Sequence, residues 1–264
     1  MNLEHITRQV CKIVREASAF IQQEARSFGA ENIEYKDVNN LVSYVDKESE
    51  KMLVTQLREL LPDAGFITEE GTTGKPGNPD ALNWIIDPLD GTTNFIHGLP
   101  VYCVSVGLAQ GKTPIAGVVH EPNLNEMFYA WKGGGAWCND KKLKVSAVEK
   151  LSESLLATGF PYYRFEKHRI YMEILEILMQ KTHGIRRLGA AAVDLAYVAA
   201  GRFEGFYEYN LHSWDMAAGV LLVQEAGGTV TDFRGSDNYL FGGDIIACAG
   251  PHRELLDIIA SHFD

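Results

Sequence analysis

The sequence predicts a mixed α/β protein, and three observations predict it. Long amphipathic stripes open the chain, short apolar runs bounded by turn residues follow to about residue 150, and helix then alternates with strand. The first half therefore reads as helices packed on a largely antiparallel sheet. At 264 residues with 46% hydrophobic content, the chain can fill one large core or two closely packed halves.

Leu3, Ile6, Val10, Ile13, Val14, Ala17, Phe20 and Ile21 recur largely at three- and four-residue steps, a helical stripe that Gly29 ends. Leu41 to Val45 reads as a strand delivering Asp46 to a second helix with Met52, Leu53, Leu57, Leu60 and Leu61, closed by Pro62. Strands follow at Phe66-Ile67, Trp84 to Ile86, Val101 to Ala109, Ile115 to His120 and Met127 to Trp131. Gly133-Gly134-Gly135 is a hairpin turn that opens no helix, which rejects a nucleotide loop there. Gly74-Lys75 fails as a phosphate loop, because Glu69 stands five before the glycine and Pro76 follows the lysine.

In the second half, helices are expected over His168 to Thr182, Ala190 to Ala200, Trp214 to Ala226 and Pro251 to Phe263. Strands are expected near Ile185 to Arg187, Phe203 to Glu208, Thr229 to Phe233 and Ile245 to Ala249, with Gly184, Gly201 and Gly227 at helix C-caps. Residues 1–150 and 151–264 form two halves of one unit, with no repeat or linker between them.

No apolar run approaches the roughly 20 residues of a membrane helix, and the N-terminus lacks a signal pattern, so a cytoplasmic location is expected. Cys11, Cys103, Cys138 and Cys248 are scattered without a C-x-x-C pair and are expected as reduced thiols. A formal net charge of -11 disfavours direct nucleic-acid binding. An acidic chain still accepts an anionic substrate when cations supply the positive charge.

The chemistry concentrates in Trp84-Ile85-Ile86-Asp87-Pro88-Leu89-Asp90-Gly91-Thr92-Thr93-Asn94-Phe95. An apolar run ends in one carboxylate, and a second follows three residues on, before a glycine and two hydroxyls. Two nearby aspartates and a carbonyl make a cradle for magnesium, and amides at Gly91 and Thr92 are placed to meet a phosphate. The alternative is an Asx turn. Glu69-Glu70 follow a short strand, whose alternation lets one face a site and the other solvent; taken alone, a solvated acidic turn is the better reading. Asp215 lies in the first turn of a helix, where it also serves the helix dipole.

These segments, in this order, resemble the inositol monophosphatase family, as do Trp214-Asp215-Met216-Ala217-Ala218-Gly219, Thr158-Gly159-Phe160-Pro161 and Gly189-Ala190-Ala191-Ala192. The resemblance spans nearly the whole chain. It implies a layered α-β-α-β-α sandwich of the sugar phosphatase type and Mg2+-dependent hydrolysis of a small polyol phosphate monoester, foremost myo-inositol monophosphate. It further implies a homodimer and lithium sensitivity.

By resemblance, Glu69, Asp87 and the Leu89 carbonyl hold one magnesium, Asp87, Asp90 and Asp215 a second, and Glu69 a weaker third. Thr92, paired with Asp46, orients or deprotonates the attacking water; the alternative for Asp46 is the N-cap of a helix beginning at Lys47. The phosphate meets Gly91 and Thr92, while the polyol meets Asp90, Glu208, Asp215, Ala191, Ala190 and the backbone around Gly189. Arg186 is either a rim contact, a surface charge or a subunit contact. Ala190 stands where relatives often carry Ser or Thr, and Thr68 replaces a common glycine. Fructose 1,6-bisphosphate, a nucleotide 3′-phosphate and histidinol phosphate are the rival substrates, although Thr93-Asn94 follows the inositol group's pattern. A rival of another class is a regulatory binding protein that kept the fold without turnover.

Overall fold

The computed structural model describes residues 1–29, 33–37, 40–73, 77–160 and 166–263. Its elements run α1 (Leu3–Ala25), β1 (Ile33–Asp37), β2 (Asn40–Ser43), α2 (Tyr44–Leu60), β3 (Gly65–Thr68), β4 (Leu82–Asp90) and α3 (Thr92–Ile96). Strands β5 (Cys103–Gln110), β6 (Thr113–Glu121), β7 (Glu126–Trp131), β8 (Gly135–Cys138) and β9 (Lys141–Lys142) complete the first half. The second half holds β10 (Leu155–Thr158), α4 (His168–Lys181), β11 (Gly184–Arg186), α5 (Ala191–Ala199), β12 (Gly205–Tyr209) and α6 (Ser213–Glu225). It closes with β13 (Thr229–Thr231), α7 (Tyr239–Gly242), β14 (Asp244–Cys248) and α8 (His252–Ala260).

These elements stack in five layers, α-β-α-β-α. A seven-stranded sheet, β3-β4-β5-β6-β7-β8-β9, is antiparallel except for the parallel β3–β4 pair. The stripe of α1, with Ile6, Val10, Val14 and Ile21, packs with α2 on the face carrying Trp84, Ile86, Val104 and Val118. The opposite face, with Ile85, Val119 and Phe128, meets α5 and α6. Their other side covers a five-stranded sheet, β11-β10-β12-β14-β13, whose far face packs against α4 and α8 through Tyr171, Ile174, Leu255 and Ile259. Gly117 lets α6 approach this closely, since a Cβ there would stand 2.9 Å from the Ala218 Cα.

Several boundaries differ from the expected ones. Helix α1 ends at Ala25 with Arg26 as its C-cap, short of Gly29. Helix α2 starts at Tyr44, not Lys47, because Ser43 caps it. Gly201 and Gly227 follow the C-caps of α5 and α6 with positive φ, but Gly184 opens β11 instead of capping α4. Strands β1, β8, β9 and β10 and the short α3 and α7 carry too little periodicity to be expected. The Gly133–Gly135 stretch is the expected turn, joining β7 to β8. Gly74, Lys75, Pro76 and Pro161 lie outside the described residues.

Candidate active site

The site begins with a bulge in β4. In a regular strand, residues three apart face opposite sides, so Asp87 and Asp90 would diverge. Asp87 pairs with Ser105 and Asp90 with Cys103, so three steps on β4 match two on β5. The extra residue around Pro88-Leu89 restores both aspartates to one face. Leu89 turns into the core beside α1 and α2, while Ile85 and Cys103 mark the face toward the central helices. The Asp87 carboxylate accepts from the Leu89 amide at 2.9 Å, so the Asx turn and the site share this residue.

Gly91 continues the chain with φ of 93°, and α3 starts at Thr92. The Thr92 hydroxyl lies 2.8 Å from Asp46 Oδ1 and 2.9 Å from the Leu89 carbonyl, and its single proton serves one acceptor at a time. Asp46 is fully buried, and its other oxygen accepts from the Ser43 amide at 2.8 Å and hydroxyl at 2.6 Å. Asp46 is thus the third residue of a capping box, not the N-cap itself. Burial raises its pKa, opposed by the Ser43 and Thr92 hydroxyls.

Asp215 repeats this arrangement on α6, accepting from the His212 amide at 2.6 Å while half-buried at the helix start. Its helix-start role and a site role are compatible, because one oxygen suffices for the cap. Asp90 Oδ2 accepts from the Ala192 amide at 2.7 Å, and Cys103 Sγ lies 3.7 Å from the same oxygen. The charges are crowded. Loss of water and then Glu69, Asp90 and Asp215 hold Asp87 well above the carboxylate range. Loss of water, then chiefly Asp90, does the same to Asp215, and burial pushes Asp90 up to about 7.

Glu69 follows β3 half-buried, its amide donating to the Ile86 carbonyl at 3.2 Å. Glu208 on β12 is 8% exposed, and burial lifts it to about 8, offset in part by the Arg187 charge. A Cβ on Gly159 would overlap the Glu208 carboxylate. Gly189 (φ 91°) and the buried Ala190 and Ala191 lead into α5, with Ala190 at its N-cap and offering no side-chain hydrogen bond.

The two neighbouring arginines after β11 begins, both exposed, meet different groups. Arg186 is exposed and donates to the Ile185 carbonyl at 3.2 Å, while Arg187 exerts its charge on Glu208 and stacks 5.9 Å over Phe160. Three further residues support the site. Asn94 donates to Val101 and Leu188 carbonyls at 2.7 and 2.8 Å, tying α3 to the loop before Gly189. Asp194 is buried on α5, and loss of water, then the charges of Glu208 and Asp90, hold its pKa well above the usual carboxylate range. Glu50, fully buried, holds the turn after β3. A sequence signal for Glu50 exists: Asp46, Glu50, Leu53 and Leu57 share the buried stripe of α2, where charge is unexpected.

The donors here are all oxygens, the set that suits a hard divalent cation, and their mutual repulsion is relieved by positive charge. Among the described residues, no three His, Cys, Asp or Glu side chains already close on one point. The acids fit a cation in kind and charge, as an open cradle.

A layered α+β sandwich with crowded acids and a hydroxyl beside them is an arrangement that metal-assisted phosphate-ester hydrolases use. A family model described as "Inositol monophosphatase family" matches residues 2–264. The chain belongs to the inositol monophosphatase family. It is 43% identical over 231 residues to the inositol-1-monophosphatase of Rhizobium meliloti (strain 1021), covering 86% of each chain. It is 42% identical over 237 residues to the Nus factor SuhB of Escherichia coli (strain K12), covering 89% of this chain and 88% of that one. The inositol monophosphatase structure from Anabaena (Nostoc) sp. PCC 7120 superposes with a TM-score of 0.87 at 35% identity, over 99% and 98% of the two chains.

Proposed function

We propose that this chain is a Mg2+-dependent phosphomonoesterase whose substrate is a small polyol phosphate, foremost myo-inositol monophosphate. The observation that carries the reading is the Asp46–Thr92 hydrogen bond of 2.8 Å beside the crowded Asp87, Asp90 and Asp215. In this reading Glu69, Asp87, the Leu89 carbonyl, Asp90 and Asp215 hold two to three magnesium ions. Bound there, magnesium supplies Lewis-acid polarisation of the phosphate and acidification of a water.

The protein's own residues do the rest. Asp46 is fixed by Ser43 and accepts the Thr92 hydroxyl's hydrogen bond once the Leu89 carbonyl is otherwise engaged, leaving the Thr92 oxygen lone pairs free. The Thr92 oxygen then accepts from a water and aims it at phosphorus. Amides at Gly91 and Thr92 face the phosphate, while Glu208, Ala191 and the Gly189 backbone meet the polyol hydroxyls. Arg187 replaces Arg186 at the rim. Residues 1–150 and 151–264 act as halves of one catalytic unit, a reading supported by the packing of α6 on β5 and β6.

The test is phosphate release from a panel at fixed magnesium. The expected result is magnesium-dependent turnover of myo-inositol monophosphate, with a higher kcat/KM than for fructose 1,6-bisphosphate, a nucleotide 3′-phosphate or histidinol phosphate. A higher value for a rival defeats the substrate choice. No turnover of any member defeats the enzyme reading and leaves a binding role, the direction in which the relatives named Nus factor SuhB point. Lithium inhibition and a homodimer belong to the proposal, checked by lithium titration of activity and by analytical ultracentrifugation. A cytoplasmic location fits helices among which, in the described residues, none is long and apolar enough to cross a membrane. The net charge of -11 supports no direct nucleic-acid contact.

A further inference from the structure

We propose that Glu50 is a positioning residue that fastens the turn carrying Glu69, and thereby sets the site's affinity for its divalent cation. The inference rests on the phosphatase reading only in taking Glu69 as a cation ligand. Glu50 lies fully buried on α2, one helical turn beyond Asp46. A carboxylate so placed is costly unless donors fill its oxygens.

Among the described residues, four donors to Glu50 come from residues 68–72. The Thr68 hydroxyl donates to Oε1 at 3.0 Å, the Thr72 amide and hydroxyl to the same oxygen at 2.7 Å each, and the Glu70 amide to Oε2 at 2.7 Å. These residues flank Glu69, whose own amide is held by the Ile86 carbonyl. The chain from Glu69 to Thr72 belongs to no helix or strand, so these bonds take the place of a ladder in ordering it. Thr68 contributes one of these four. One helix thus presents both the Asp46 acceptor for Thr92 and the clamp on the Glu69 turn.

A turn ordered in advance binds its cation without an ordering cost, whereas a loosened turn must be ordered on binding. Loss of the clamp therefore weakens cation binding, while the loaded site turns over much as before. A role confined to overall stability would instead lower the melting temperature without this split.

The experiment compares wild type with Glu50→Gln, which keeps the side-chain size but sets an NH2 group against the Glu70 amide. Mn2+ binding is read by electron paramagnetic resonance without substrate, alongside the Mg2+ dependence of kcat and the melting temperature. The expected result is Mn2+ affinity and half-saturating Mg2+ both weakened about tenfold, as for one lost bond to a charged group, with saturated kcat within about threefold. Thr72→Val, which removes one hydroxyl, shifts both by about threefold and decides the matter if Glu50→Gln does not fold. Wild-type Mn2+ affinity in the folded variants overturns the proposal, as does loss of saturated kcat at unchanged affinity. A wild type that binds Mn2+ but hydrolyses nothing defeats the phosphatase reading alone. A magnesium-dependent wild type with Mn2+-indifferent variants defeats this inference alone.

Discussion

Asp90 Oδ2 stands 2.7 Å from the amide of Ala192, across 102 residues of sequence, and so caps helix α5 from another strand. Ala190 at the N-cap position has no side-chain acceptor for the free amides of the first turn. The aspartate supplies it, which binds the β4 bulge to the central helix layer and shows why an alanine is tolerated there.

Asp90→Asn keeps an oxygen for the Ala192 amide but removes the charge. The expected outcome is a small change in melting temperature with kcat/KM lowered at least about a hundredfold, the scale of one lost electrostatic stabiliser. Phosphate release and thermal unfolding on the same preparation check it; wild-type activity would remove Asp90 from the cation set.

Thr92→Val leaves α3 intact and deletes the hydroxyl shared by Asp46 and Leu89. We expect kcat to fall about 10²- to 10⁴-fold, the range for a lost proton-transfer partner, with much of it restored in Thr92→Ser. Because the two residues act as one unit, adding Asp46→Asn to Thr92→Val should cost little more, which a double-mutant cycle measures.

Gly159→Ala pushes a methyl group into the space of the Glu208 carboxylate. The expected cost is about 1–3 kcal/mol of stability, typical of overpacking, and a raised KM at near-normal kcat as Glu208 leaves the polyol side. Denaturant unfolding and steady-state kinetics separate the two effects.

His120 is 4% exposed, its Nδ1 lies 2.8 Å from the Ser18 hydroxyl, and burial lowers its pKa to about 4. The folded protein thus resists a proton that the unfolded chain accepts near 6.5. This histidine's contribution is complete above pH 6.5 and is lost as pH falls toward 4, by about 3 kcal/mol at most. Unfolding free energies between pH 7 and 4 should show this slope, and His120→Gln, less stable at pH 7, should flatten it.

Local periodicity made much of this molecule legible. The stripe of α1, the strands of the large sheet and the alternation after residue 150 all reflect burial that repeats every two or 3.6 residues, so nearby residues reveal it. The ordered acids from Glu69 to Asp215 and the Asp-Gly-Thr-Thr run named the family. Only the folded chain decided which atoms meet. The β4 bulge turned Asp90 to the face of Asp87, a capping box moved Asp46 inside α2, and the chain just past β11 brought the Arg187 charge to Glu208. Thr92 meets Asp46 across 46 residues, a pairing the resemblance implied, and Ala192 meets Asp90 across 102, one it did not. Such contacts follow from register and layer packing, which no window of neighbouring residues contains.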